Sequence, residues 1–128
     1  MNLGFSTLVA GTFEEVRQRT IDALKEEGFG VVSEIDVKKT FAEKLGVEFR
    51  DFTILGACNP VMAKKAIDAM PEIALLLPCN VTVSQEPEGV RVVAVDPRAM
   101  LAVAPSHPAI EEVASDATPR LQRAIAAL

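Results

Sequence analysis

CNVTVSQEPEGVRVVAV, residues 79–95, is the stretch on which the reading of the fold turns. Val81 and Val83 point to one side of an extended chain, and Asn80, Thr82 and Ser84 to the other. Glu86-Pro87-Glu88-Gly89 follows as a turn, with Pro in its second place and Gly in its fourth. Residues 90–95 return as the hairpin partner, and Asp96-Pro97 ends it. A late hairpin with irregular connections around it favours an α+β domain over a doubly wound parallel sheet.

Outward from the hairpin, the remaining elements follow from period and punctuation. Towards the C-terminus, residues 98–103 read as a short helix. Ser106 and Pro108 open a last one, with Ile110, Val113, Ala117, Leu121, Ile125 and Leu128 in a stripe. Pro119 inside that helix predicts a kink or break near residues 115–118. Such an Ala- and Leu-rich helix could be buried at a two-fold interface. Towards the N-terminus, Leu3, Phe5, Thr7 and Val9 share one side of a first strand. Thr12 and Glu15 form a capping box for a helix carrying Phe13, Val16, Thr20 and Leu24, and Gly28 ends it. A second strand over residues 29–35 turns Phe29, Val31 and Ile35 one way and Glu34 and Asp36 the other. Asp36 caps a short helix with Val37, Phe41 and Leu45, which Gly46 ends. Residues 47–57 read as a third strand, apolar on both faces in its second half. Asn59-Pro60 starts a helix with Ala63, Ala66, Ile67 and Met70 inward, and Pro71 stops it. Residues 73–77 fit helix or strand equally. The expected order is βαβαβαββαα, with about five strands in a mixed or antiparallel sheet. One domain, residues 1–128, accommodates it.

Charge and composition set the class. Lys plus Arg is 13 and Asp plus Glu 18, a net charge of −5. That balance argues against a nucleic-acid partner, which needs basic charge to release counterions. The apolar share, 49%, is enough for a core. No stretch reaches the roughly 18 apolar residues of a membrane span. Residues 1–10 lack a basic start and read as a strand rather than a signal peptide. A cytoplasmic location is the expectation, and there Cys58 and Cys79 would be free thiols.

Chemistry has few candidates. Leu76-Leu77-Pro78-Cys79-Asn80 resembles Gly56-Ala57-Cys58-Asn59-Pro60, each placing Cys-Asn at an element boundary. Cys58 precedes a helix start, where the macrodipole and free amides favour a thiolate. Two small buried hydrophobes and two capping amides are the plainer reading. The spacing is not Cys-x-x-Cys, and two Cys with one His make a poor metal set, so no metal is expected. His107 reads as a loop residue. Glu34 and Asp36 are a carboxylate pair in search of burial, with Arg50 as a further candidate. Gly28-Phe29-Gly30 lacks the rest of a phosphate-cradling motif, and the sequence names no cofactor.

The run Gly28-Phe29-Gly30-Val31, Glu34 to Phe41 (EIDVKKTF), Lys44-Leu45-Gly46-Val47 and Phe49-Arg50 has a counterpart elsewhere. With Ile54-Leu55-Gly56-Ala57-Cys58-Asn59-Pro60, Pro71-Glu72-Ile73 and the segment from Leu75 to Val81, it resembles the bacterial and archaeal family named domain of unknown function 302. The resemblance spans nearly the whole chain. It implies an α+β fold, a homodimer and a cytoplasmic protein, and it implies no reaction. The family signature falls on Cys58, Asn59, Pro60, Pro78, Cys79 and Asn80. Three functions follow as expectations. The first is a homodimeric module with a thiol-centred ligand, metal or redox site at Cys58, Asn59, Cys79 and Asn80. The second is an enzyme on a small molecule using Glu34, Asp36 or Arg50. The third is a structural dimer with no small-molecule site.

Overall fold

The structure is a computed structural model that describes residues 2–128. The hairpin forms as its residues demand: β4 (Cys79–Glu86) and β5 (Gly89–Val95) pair antiparallel, with Glu86 opposite Gly89 and only Pro87 and Glu88 between. Around it lie β1 (Gly4–Val9), α1 (Phe13–Glu26), β2 (Gly30–Asp36), α2 (Val37–Leu45), β3 (Phe52–Cys58), α3 (Pro60–Ala69), α4 (Pro97–Leu101) and α5 (Pro108–Ala126). Residues 73–77, ambiguous in sequence, lie mostly within a 3-10 helix, Pro71–Leu76. The five strands form one sheet in the order β1-β5-β4-β3-β2, and every pairing is antiparallel. The α+β class and the element order are those expected.

Strand alternation makes the sheet two-sided. Phe5, Thr7, Val9, Val90, Val92, Ala94, Val81, Val83, Leu55 and Ala57 share the face on which α1, α3 and α5 pack. From α1 come Val16, Thr20 and Leu24, and from α5 come Ile110, Val113, Ala117, Leu121 and Ile125, all buried. Each apolar side chain so enclosed contributes about 1.5–3 kcal/mol. Leu8 and Ile35 alternate to the opposite face and stay 41% and 52% exposed.

Three local expectations are corrected. In β2 the register shifts between Val31 and Ser33, so Val32 bulges and the parity beyond it reverses. Glu34 and Asp36 therefore share the helix-bearing face with Val31, and Ile35 turns away. The third strand starts at Phe52, not at residue 47. Ahead of it, Phe49 folds back edge-on against Phe41 of α2, 5.0 Å between ring centres, and residues 46–50 lie off the sheet. Helix α5 runs uninterrupted for 19 residues through Pro119. That proline is on the exposed side, where the carbonyl it leaves unbonded can meet water. Its inner stripe is spent on its own sheet, so α5 has no apolar face left for a partner. His107 lies in the loop just ahead of α5, as expected, and caps that helix: its Nδ1 accepts the Ala109 N–H at 3.0 Å.

Candidate functional site

Cys58 is the last residue of β3, and Cys79 the first of β4. Cys79 pairs with Ala57, the neighbour of Cys58, so the two Cys-Asn segments meet at the same end of the sheet. Asn59 turns the chain into α3. Its Oδ1 accepts the Met62 N–H at 3.1 Å, and Pro60 takes the next position, where no amide is needed. The Leu77–Pro78 bond ahead of Cys79 is cis. Cys58, Asn59 and Cys79 are among the residues lining one small apolar cavity of about 40 Å³, walled also by Phe29, Met62, Leu101, Val113 and Ala117.

The two thiols are not equivalent. Cys58 is half-buried, whereas Cys79 is only 8% exposed. Burial, and then the nearby Cys58, push the Cys79 thiol up to about 11. Cys79 is therefore protonated at neutral pH. Asn80 does not join this site. It pairs with Gly56 and is exposed on the opposite face from Cys79. The structure thus brings Cys58, Asn59 and Cys79 together and leaves Asn80 outside.

Glu34 and Asp36 line a second groove, of about 420 Å³, with Arg17, Asp51 and Thr53. The Arg17 guanidinium grips Glu34 with two bonds, Nε at 2.7 Å and Nη2 at 2.5 Å, and the Thr53 hydroxyl donates to the same carboxylate at 2.7 Å. Chiefly through the Arg17 bonds, Glu34 is held below the usual carboxylate range. Such a carboxylate stays ionised, the wrong state for a general acid. Asp36 is occupied as the cap of α2, accepting the Lys39 N–H at 3.0 Å. Arg50 is exposed, its guanidinium stacked over Phe49 and Phe52 at 4.5 and 5.3 Å from the ring centres. Arg17 was not among the sequence candidates. Its signal was its place four residues after Phe13, one helical turn along α1. Among the described residues no group of three or more His, Cys, Asp or Glu could hold a metal ion. No helix among them is long and apolar enough to cross a membrane.

Comparison with known proteins bears on the whole chain. No curated protein matches it. Among solved structures it is similar to the crystal structure of an uncharacterized conserved protein, DUF302, from Bacillus stearothermophilus. The two share 28% identity over 98% of each chain, with a TM-score of 0.87. The family model described as domain of unknown function DUF302 matches residues 5–128, which takes in both Cys-Asn segments and the bulged β2. This chain therefore belongs to the domain of unknown function DUF302 family.

Proposed function

We propose that the protein is a homodimeric module with a thiol-centred site for a small, soft electrophile. The observation that carries this reading is the apolar cavity lined by Cys58 and Cys79 together. Cys58 is the reacting thiol, because it is the one solvent reaches. Asn59 fixes the turn that presents it. The apolar walls disfavour an anionic metabolite, whose charge would go unpaired there. Two unlinked cysteines fit a reducing cytoplasm. The carboxylate alternative is weaker, since Glu34 is consumed by Arg17 and Arg50 stacks on phenylalanines. Thiol titration tests the reading. Iodoacetamide is expected to modify Cys58 in the native protein, and Cys79 only after unfolding. Native protein in which neither thiol reacts would overturn it.

A further inference from the structure

The layer of α1, α3 and α5 covers one side of the sheet only. On the other side the strand register lines up Ile35, Ile54, Thr82, Val93 and Ser6 in one row across all five strands. Ile35 and Ser6 are exposed at its ends, and the three residues between them are half-buried. Leu8 stands on the same side and is 41% exposed. So does Phe52, opposite Ser84. Its ring centre lies 6.1 Å from that of Phe49, which in turn meets Phe41, so α2 stands at the border of this face.

Charge sets the face apart. The chain carries 13 basic and 18 acidic residues. Within the strands the charged residues are Glu34, Asp36, Glu86 and Arg91. Glu34 and Asp36 share the helix-bearing side. Arg91 and Glu86 are on the open side and neutralise each other, with Nη2 to Oε1 at 3.3 Å. The open face is therefore broad, β-branched in its central row and without net charge.

From this face we infer that a second copy of the chain packs sheet against sheet, with the row from Ile35 to Ser6 at the centre of a two-fold contact. The inference rests on the homodimeric reading and names the surface which that reading needs. A net charge of −5 makes two copies repel over most approaches. A two-fold contact sets one patch against itself, so a neutral patch meets no like charge there. A partner recognised by opposite charge would find none on this face, and an extended peptide adds to a sheet edge rather than to a face. The area agrees. Five strands about 4.8 Å apart and about 20 Å long present roughly 500 Å² in projection. A standard interface takes about 800 Å² from each partner. Leu45 and Val47, 66% and 46% exposed, extend the face at its α2 border. Sheets packed about 10 Å apart would enclose Leu8 and Ile35.

Light scattering on the full chain tests this. The wild type is expected at twice 13.7 kDa at micromolar concentration. Thr82→Lys sets two like charges against each other at the middle of the row and is expected to weaken association at least tenfold. Ile35→Lys, at an exposed position, serves the same purpose should a lysine at 82 unfold the chain. Hydroxyl-radical labelling gives an independent readout. Leu8 is expected to label several-fold less in the wild-type dimer than in the lysine-bearing monomer. Leu75, 86% exposed on the 3-10 helix, should label equally in both. A dimer that survives both lysine variants, or Leu8 labelled equally in dimer and monomer, would overturn the inference and leave the homodimer to another surface. A wild-type mass of 13.7 kDa would overturn both.

Discussion

Gly56 is the residue with the least room to change. A methyl group there would lie 2.2 Å from the Ser33 hydroxyl and 2.7 Å from Cγ of Pro78. The serine can rotate away, but the proline ring cannot, and it adjoins Cys79. Gly56→Ala is expected to cost about 1–3 kcal/mol, read by urea denaturation, and to raise the iodoacetamide reactivity of Cys79. Glu34 gives a second prediction, dependent on pH. Its folded-state pKa is depressed by Arg17, so its contribution is present above the ordinary value of 4.5 and is lost as pH falls through the lower folded value. Glu34→Gln should cost about 1 kcal/mol at neutral pH. The gap between variant and wild type should close in acid, which denaturation at a series of pH values would reveal. A gap independent of pH would mean that packing, not charge, sets the effect. The site was only partly readable from such residues. Cys58 and Cys79 stood out because a repeated Cys-Asn pair is visible in a linear string. The Arg17–Glu34–Thr53 group was not, because its members come from three elements and meet only through the bulge at Val32.

At the scale of elements, boundaries written by local chemistry came through and those set by distant packing did not. Thr12, Asp36 and Asn59 cap α1, α2 and α3 through their own side chains, so these starts could be placed from neighbours alone. The start of β3 depends on Phe49 choosing Phe41 over the sheet, a contact no local pattern announces. Helix α5 tests the balance directly. Pro119 withholds one amide from an otherwise continuous helix, yet the buried stripe from Ile110 to Ile125 holds it together. Pro119→Ala restores that hydrogen bond at an exposed position. It is expected to stabilise the protein by about 1–2 kcal/mol, the helix gain less the added freedom of the unfolded chain. Thermal denaturation would show this as a raised midpoint, and a lowered midpoint would mean the proline ring packs usefully.

The whole molecule is lopsided. One face of the sheet carries α1, α3 and α5, while α2 buries only Val37, and Leu45 at its end and Val47 just after it stay 66% and 46% exposed. With Val32 and Ile35 on the edge strand beside it, this is where the proposed second copy would dock. Lys38, Lys39 and Lys44 alternate there with Glu43 and Glu48, so no single sign of charge opposes a copy of itself. Light scattering at micromolar concentration is expected to give twice 13.7 kDa, and Leu45→Glu with Val47→Glu to return it to one. A wild-type mass of 13.7 kDa would refute the dimer.

The strand order also has a consequence in time. β2, β3 and β4 each pair with the strand next in sequence, but β1 pairs only with β5, the last, setting Ser6 opposite Val93. On a ribosome, the first strand to emerge has no partner until almost the whole chain has been made. Until then its apolar side, Phe5 and Val9, is bare. Nascent chains arrested before residue 90 and held clear of the ribosome exit by a linker should be cut by protease within residues 4–9. Chains arrested after α5, on the same linker, should resist. Equal protection at both lengths would show that β1 finds shelter before its partner exists.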